Sequence, residues 1–400
     1  MPKVAVFSQI IKLIPRSHFE ASVNRHGGDK RVRKLDCWTW FGALLFSQLS
    51  GHDSIRCLER VFEAGNSEVA GLGFQSVCRS TLSDANGSRP LGILKDIFGY
   101  ALELATQSRG RNLDLGFPVY LLDSTFIELC LSLCPWAYYR RSDEATGRVR
   151  YAGVKVHTAI DLTGHLPEFL VIKEGTEKTN GDLKVARETF RFAPGSLVVF
   201  DRGYWSAPYF EELRRANVDF VTRPKNNRLK FRVVKSAKVN RTQGLICDQH
   251  VYLNGRGTKG VYGGMLRKIG YRDPQTGKKL TFITNRLDLP AEIICRLYKA
   301  RWQVEIFFRT LKQNLKIKKF LGLNKNAVFA QIYTALIAYV LMMYLKLTTR
   351  SSISMTELMA IVGTMLLLKH NIVALLQDQP QTRRHPPPLQ LSLDLANAYG

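Results

Sequence analysis

A chain of 400 residues, 45% of them hydrophobic, is long enough to bury a large core and to form two or three domains. This hydrophobic content excludes general disorder. The formal net charge is +25, because 58 Lys and Arg residues outnumber 33 Asp and Glu residues. Such an excess predicts a polyanionic partner, with nucleic acid favoured over an anionic membrane surface.

Seven cysteines are scattered along the chain without a Cys-x-x-Cys pair, which indicates reduced thiols in a cytoplasmic protein. The N-terminus lacks an apolar core followed by a small-residue cleavage site, so no secretory leader is expected. The longest uncharged apolar run, near 335–345, is shorter than the ~20 residues that span a bilayer. We therefore expect a buried helix there and no membrane contact.

The N-terminal residues 1–112 are predicted to be a helical domain. Helices are expected at 35–49, 53–64 and 91–104, and a basic connection, RHGGDKRVRK, occupies 25–34. Short helices with basic residues at their junctions are compatible with a DNA-binding unit of the helix-turn-helix type. A small helical packing domain is the alternative.

Strand patterns begin at residue 117. Three apolar runs with short connections favour antiparallel strands, and a helix, a strand, a helix and a strand follow them. These seven elements are expected at 118–123, 153–161, 166–172, 181–190, 196–201, 209–216 and 218–222. Their order is that of the ribonuclease-H-like α/β fold, a mixed sheet of three antiparallel and two parallel strands. Doubly wound folds are disfavoured, because the first two connections are too short for crossover helices.

The segment 223–281 carries 15 Lys and Arg residues against two Asp residues, a net charge of +13. Short alternating segments and many Gly-containing turns predict a basic β-rich insertion. The predicted catalytic core therefore consists of 117–222 and 282–350, and a C-terminal helix and flexible tail are expected at 351–400.

The segment YKARWQVEIFFRTLKQNL, residues 298–315, predicts one helix, because it has no Gly or Pro and strong helix formers dominate it. At about 100° per residue, Tyr298, Arg301, Glu305 and Lys312 share a sector only ~60° wide beside an apolar face. One acid among two cations and a phenol suggests a metal-binding carboxylate close to a phosphate backbone. An ordinary amphipathic helix with a solvated charged face is the alternative.

Three acids occupy positions that such a sheet would bring together. Asp123 and Asp201 are predicted to end the first and fourth strands, which are neighbours in that fold, and the helix of Glu305 packs across them. Clustered carboxylates are unfavourable without a neutralising cation, so the sequence predicts a site for two Mg²⁺ ions, with Mn²⁺ as a substitute. Such a pair would support in-line phosphoryl transfer. Alternatively, both Asp residues are turn residues at strand ends.

Two further side chains are ambiguous. His157 shares a predicted strand face with Lys155 and Asp161, and it either lines the site or is a structural histidine. Asp182 is most simply an acid at a helix start, with contact to the metal site or to DNA as the alternative.

The spacing Tyr298-x2-Arg301-x3-Glu305-x6-Lys312 resembles the Y-R-E-K signature of bacterial insertion-sequence transposases of the DDE type, in the insertion-sequence-four-like family. LLDST at 121–125 and VVFDRGYW at 198–205 resemble the two Asp motifs of that family, and the resemblance covers about 118–347. It implies that Asp123, Asp201 and Glu305 are the catalytic metal-binding triad. It also implies that Tyr298, Arg301 and Lys312 hold DNA phosphates.

The resemblance further implies a nucleoid-associated enzyme that acts on double-stranded DNA by a cut-and-paste mechanism. It would bind the terminal inverted repeats of its element, expose 3′-OH ends and join them to target DNA as a homodimer on paired ends. A metal-dependent structure-specific nuclease of the same fold and an inactive DNA-binding derivative are the alternatives.

The predicted insertion departs from the family in one respect. In relatives it helps to hold a flipped base, in some cases with a Trp, whereas residues 223–281 contain no Trp. Tyr252, Tyr262 or Tyr271 would have to stack on the base instead.

Overall fold

A computed structural model describes the chain over most of its length. The described residues are 4–64, 71–108, 115–143, 147–174, 181–225, 229–255, 258, 260–313 and 320–377, without the side chains of 139–151. The helices of these residues are α1 (Val6–Ile11), α2 (Arg16–His26), α3 (Cys37–Ser50), α4 (Ile55–Ala64), α5 (Arg79–Ser88), α6 (Leu91–Gln107), α7 (Asp182–Thr189), α8 (Ala207–Arg215), α9 (Ala291–Ala300), α10 (Trp302–Gln313), α11 (Lys325–Thr349), α12 (Met355–Met365) and α13 (Ile372–Gln377). The strands are β1 (Val119–Leu129), β2 (Tyr138–Asp143), β3 (Gly147–Asp161), β4 (Pro167–Glu174), β5 (Leu197–Phe200), β6 (Asp219–Thr222), β7 (Phe231–Ala237), β8 (Leu245–Leu253), β9 (Leu266–Arg272) and β10 (Lys279–Thr284).

The strands form one mixed sheet in the order β2-β3-β1-β5-β6-β10-β9-β8-β7, and β4 also pairs with β3. The pairs β1–β3 and β3–β4 are antiparallel, whereas β1–β5 and β5–β6 are parallel. The chain is thus a mixed α/β protein, as the sequence predicted. Each parallel connection in this central part runs through a helix, α7 or α8, as parallel pairing requires.

Strand β1 is longer than the prediction. The expected strand ended at Asp123, but β1 runs to Leu129, because β3 continues beside it as far as Ala152. The antiparallel hydrogen-bond ladder therefore overrides the polar sequence Asp123-Ser124-Thr125. Asp123 does mark the point at which β5 stops pairing, since the last register pair of β1 and β5 is Leu122 with Phe200.

The two faces of the central sheet bury different cores. Because side chains alternate along a strand, Leu121 faces one core and Leu122 faces the other, and both are fully buried. Helices α9 and α10 cover the Leu121 face, and helices α7 and α8 cover the Leu122 face. The face that a residue of β1 occupies therefore decides which helices it meets.

The strands of the predicted insertion extend this sheet. Strand β10 pairs antiparallel with both β6 and β9, and β9 and β8 continue the order to β7 at the edge. Strands β7, β8 and β9 are thus hydrogen-bonded into the same sheet as the central strands.

The N-terminal helices share a core with the C-terminal ones. Helix α11 packs on α6 and α3, and the backbone N–H of Phe7 in α1 donates to the carbonyl of Leu366 at the end of α12 over 2.8 Å. The backbone N–H of Val6 likewise donates to the carbonyl of Leu368 over 3.0 Å. Both carbonyls lie in the stretch where a single C-terminal helix was expected to continue. Two helices, α12 and α13, form there instead, and the predicted tail lies outside the described residues.

Helix α11 confirms the predicted buried apolar helix. By length and composition alone it could cross a membrane, but 89% of its apolar window is buried inside the protein. A helix that is apolar on all sides is typical of such a core position.

Candidate active site

The register of two parallel strands places Asp123 beside Asp201. The pairs run from Val119 with Leu197 to Leu122 with Phe200, so the next position on each strand is an aspartate. Neighbouring strands lie ~4.8 Å apart, so the two backbones are adjacent at this point. Both side chains follow the alternation of the Leu121 face, which α9 and α10 cover.

The predicted helix over 298–315 is divided at Arg301. The N–H of Arg301 donates to the carbonyl of Tyr298, and the N–H of Val304 donates to the carbonyl of Arg301, over 3.2 and 3.0 Å. These three-residue hydrogen bonds tighten the backbone, so α9 ends at Ala300 and α10 begins at Trp302. The predicted apolar face is confirmed for the described residues: Leu297, Val304, Phe307, Phe308 and Leu311 are buried.

The Arg301 guanidinium bridges two of the three predicted acids. Its Nη1 lies 2.8 Å from Asp123 Oδ2, and its Nη2 lies 2.8 Å from Glu305 Oε1. The Arg301 side chain is only 17% exposed, so both charge-assisted hydrogen bonds lie in a largely dry environment. Asp123 and Glu305, 182 positions apart in sequence, therefore meet through one cation.

Tyr298 lies behind this guanidinium. Its ring centroid is 5.9 Å from Arg301 Cζ and 4.8 Å from the centroid of Phe282. Burial raises the pKa of the Tyr298 phenol above its usual value, so the phenol is neutral at physiological pH.

Burial raises the pKa of Asp123 to about 6. Arg301 opposes this rise, whereas the nearby negative charges of Asp201 and Glu305 add to it. The carboxylates of Asp201 and Glu305 are thus close enough to Asp123 to repel its negative charge. An all-oxygen donor set under such repulsion suits a hard divalent cation, so the residues present fit one.

The carboxylates are not already arranged as a ligand cluster. Within the described residues, no three His, Cys, Asp or Glu side chains converge tightly enough to hold a metal ion. Arg301 supplies the positive charge between Asp123 and Glu305 instead. The residues that would hold a divalent cation are Asp123, Asp201 and Glu305, and Arg301 would have to yield part of its contact.

Asp201 is oriented by the turn that follows β5. Its carboxylate caps a short 3-10 helix by accepting the N–H of Gly203 over 2.7 Å. A Cβ at Gly203 would lie 2.9 Å from Asp201 Oδ1, which is too close for real contacts. The Gly in the sequence VVFDRGYW therefore allows the carboxylate to take this position.

A cleft of about 350 Å³ opens beside Asp123 and Glu305. Its lining contains acids, cations and hydroxyl groups from only two elements, β1 and α10. The lining residues are Asp123, Ser124, Thr125, Glu305, Phe308, Arg309, Lys312 and Gln313. Lys312 thus shares the cleft with two of the predicted acids. Arg309 was not among the residues predicted for the site, although its position four residues after Glu305 on one helix was a signal.

The opposite face of β1 carries a second polar cluster, centred on Asp182. Asp182 accepts hydrogen bonds from Ser124 Oγ at 2.5 Å and from Lys155 Nζ at 2.8 Å. Nδ1 of the buried His157 lies 3.3 Å from the same carboxylate, without a hydrogen bond of good geometry. Despite its burial, the pKa of Asp182 is lowered by His157, Lys155 and Ser124.

Two of the three tyrosines considered for base stacking are unsuitable. Tyr262 and Tyr271 are buried, at 5% and 8% exposure, because their rings complete the cores of the sheet. Tyr252 is half-buried, and the Arg232 guanidinium lies 5.3 Å from its ring centroid. By contrast, Trp302 is 49% exposed, and its ring centroid lies 5.7 Å from Cζ of Arg309, which lines the cleft.

Comparison with known families gives two matches. The model of the family described as "Transposase DDE domain" matches residues 114–341, which is more than half of the chain. A family described as a domain of unknown function matches residues 3–75.

Several relatives are described as transposases. A putative transposase of Sinorhizobium fredii is 32% identical over 351 residues, 86% of this chain and 93% of that protein. A probable transposase for the insertion sequence element IS5377 of Geobacillus stearothermophilus is 27% identical, over 66% of this chain and 67% of that protein. A putative transposase for the element IS4SA of Synechocystis is 25% identical, over 71% of this chain and 76% of that protein.

These matches agree with the resemblance found in the sequence. A transposase DDE domain implies DNA as the substrate and, in general, the use of divalent metal ions. Because the domain model covers the sheet, the two Asp motifs and the helix of Glu305, the chain belongs to the family of DDE transposases.

Proposed function

We propose that the protein binds the terminal inverted repeats of its own element and catalyses metal-dependent cleavage and strand transfer by a cut-and-paste mechanism. The observation that carries this proposal is that Arg301 joins Asp123 and Glu305 beside one cleft, while Asp201 directly follows the strand that pairs with β1 up to Leu122. The central strand order β4-β3-β1-β5-β6, antiparallel and then parallel, supports a ribonuclease-H-like core. We assign 117–222 and 282–350 to this core and 223–281 to a basic insertion.

Each acid has a distinct support. Asp123 is fixed by β1, Asp201 by its cap on Gly203, and Glu305 by α10. When bound to these carboxylates, Mg²⁺ or Mn²⁺ ions supply Lewis acidity that activates an attacking oxygen and stabilises a leaving oxygen. Arg309 and Lys312 give the rim of the cleft positive charge, which favours a phosphate there.

We further propose that the N-terminal region, 1–112, binds DNA ends through a cationic loop at 27–35. Lys30, Arg31, Arg33 and Lys34 are exposed, and within the described residues none of them forms an ion pair. Four exposed and uncompensated charges on one loop suit the phosphates of double-stranded DNA.

One buried side chain, Arg89, holds both ends of this loop. Its Nη1 donates to the carbonyl of Gly28 over 2.6 Å, and its Nη2 donates to the carbonyl of Leu35. Inside the loop, Arg31 takes a positive φ of 62°, a conformation unfavourable for a non-glycine residue. A loop held in this way presents its charges in one arrangement.

The loop is tested by changing its four cations to Gln. Each phosphate contact contributes about −0.9 to the slope of log affinity against log salt, so removing four contacts is expected to make the slope for end DNA shallower by about 3.6. Changing only Arg89 to Met should weaken binding while leaving most of the salt slope intact. An unchanged affinity and slope in the four-fold variant would reject the loop.

The decisive experiment for the whole proposal is to incubate the protein with a duplex carrying the flanking inverted repeat and Mg²⁺, and to map the nicks. Nicks at the repeat boundary and transfer of the 3′-OH end to a plasmid are expected. Nicking without transfer would instead indicate a structure-specific nuclease, and binding without nicking an inactive derivative. Sedimentation of the complex would show whether two protomers hold two ends, as we propose for a homodimer.

A further inference from the structure

Asp182 is a fourth carboxylate beside the active site, and it is not one of the three DDE acids. It lies at the start of α7, on the face of the sheet opposite Arg301 and Glu305. It contacts Ser124 Oγ at 2.5 Å, on the same strand as Asp123, and Lys155 Nζ at 2.8 Å, on the neighbouring strand β3. A simple helix-start acid would not need these two strand partners.

Ser124 connects this cluster with the active site through one residue. Its side chain points to Asp182, whereas its backbone N–H donates to Asp123 Oδ1 over 2.8 Å. The two sides of Ser124 thus link two carboxylates on opposite faces of β1.

The link occurs where β1 loses a neighbour. Strand β5 ends at Phe200, opposite Leu122, so among the described residues β1 pairs from Asp123 onward on the β3 side only. A strand with one neighbour is less restrained than a central strand. The Ser124–Asp182 hydrogen bond supplies a restraint at the residue where the ladder with β5 stops.

A second observation indicates that the cluster belongs to the site. The Tyr204 side chain is 1% exposed, and its hydroxyl has no hydrogen-bond partner of good geometry among the described residues. Burial first, and then the charges of Asp182, Asp123 and Asp201, raise the pKa of Tyr204 well above its usual value. The buried Tyr204 phenol is thus close enough to sense the charge of Asp182 in the cluster and those of Asp123 and Asp201 among the DDE acids.

We propose that Asp182 is a positioning residue for Asp123. It fixes β1 from the side opposite the cleft, through Ser124, and thereby sets the direction of the Asp123 carboxylate for divalent cations. This inference rests on the proposed function, because it assigns Asp123 to the metal-binding acids.

The test is a titration of each protein with Mn²⁺, in which free Mn²⁺ is measured by electron paramagnetic resonance in the absence of DNA. Loss of a residue that orients a metal ligand typically weakens metal affinity by about 10-fold or more, and we expect this for Asp182→Asn. Ser124→Ala should weaken Mn²⁺ binding similarly. The double variant should be no weaker than Asp182→Asn, because both changes break the same connection.

Asp96 offers a matched control. It also accepts hydrogen bonds from a serine, Ser22, and from a cation, Arg25, both over 2.8 Å, but it joins α2 to α6. Asp96→Asn should leave Mn²⁺ affinity unchanged while lowering thermal stability, which separates positioning from a general structural effect. If Asp182→Asn does not fold, Ser124→Ala carries the test, since it keeps every backbone hydrogen bond of β1.

Two results would overturn the inference: wild-type Mn²⁺ affinity in Asp182→Asn or Ser124→Ala, or additive losses in the double variant. Nicking of end DNA by the wild-type protein is measured in parallel. Absence of nicking would reject the proposed function, whereas the Mn²⁺ titrations would still decide the role of Asp182.

Discussion

Replacing Asp123 with Asn is expected to stabilise the metal-free protein while abolishing its activity. The pKa of Asp123 is about 6 in the fold, against an ordinary value of 3.8. Between these values the folded protein retains a proton that the unfolded chain has released, so stability falls as the pH rises from about 4 to about 6. Above about pH 6 the ionised Asp123 destabilises the fold by the full amount.

The size of this destabilisation follows from the rise in the pKa of Asp123. Two pKa units correspond to about 3 kcal/mol, since each unit is worth 1.36 kcal/mol. The Asp123 side chain is 19% exposed, so solvent screening reduces the figure only modestly. Asn imitates the protonated acid, and we expect Asp123→Asn to raise the free energy of unfolding by about 2–3 kcal/mol at pH 7.5.

Urea unfolding in a chelating buffer measures this difference. At pH 4 the gain should largely vanish, because wild-type Asp123 is then protonated in the fold. Asp96→Asn should have the opposite sign at pH 7.5, because Ser22 and His26 help to hold the pKa of Asp96 below its usual value. An Asp123→Asn variant that is less stable than wild type at pH 7.5, or equally stabilised at both pH values, would refute the reasoning.

Three further outcomes are expected. Glu305→Gln should abolish nicking of end DNA, while end binding, measured by gel shift, changes less than about two-fold. The control Glu292→Gln, on the preceding helix, should nick normally. Normal nicking by Glu305→Gln would reject the catalytic role of Glu305. Lys312→Gln should weaken binding of end DNA and make the salt slope shallower by about 0.9, so an unchanged slope would reject the phosphate contact. Gly203→Ala should reduce nicking without unfolding the protein, because the new Cβ meets the adjacent carboxylate, whereas Gly99→Ala, with open space around it, should nick as wild type does.

Much of the fold followed from local patterns. The mixed α/β class, the strand that ends just before Asp201, and the apolar face of the helix of Glu305 are all visible as periodicity and turn signals. The extent of β1 could not be seen in this way, because its polar residues are held by pairing with a strand more than 20 residues later in the chain. Pairing between distant segments leaves little signal in either segment alone.

The break at Arg301 was also beyond the sequence argument. Nothing in the segment forbids a continuous helix, and propensity favours one. The tight turn accompanies one long-range contact, from Arg301 to Asp123 on β1, and one local contact, from Arg301 to Glu305 on α10. Asp182 was recognised as ambiguous for the same reason: a helix-start acid and a tertiary acceptor look alike until the partner strand is known.

The alternation of β1 explains why one strand can serve two clusters, and why its register matters. Asp123 and Ser124 point to opposite faces, so a slip of one residue would exchange the carboxylate facing Arg301 for a hydroxyl and turn Asp123 towards Asp182. The carboxylates of Asp123 and Asp182 would then face each other in a buried position, away from the Arg301 guanidinium. The slip would also exchange Leu121 and Leu122, which are both fully buried, so apolar packing alone distinguishes the two registers only weakly. The polar partners on both faces, Arg301 for Asp123 and Asp182 for Ser124, therefore supply the specificity that the apolar sequence of this strand lacks.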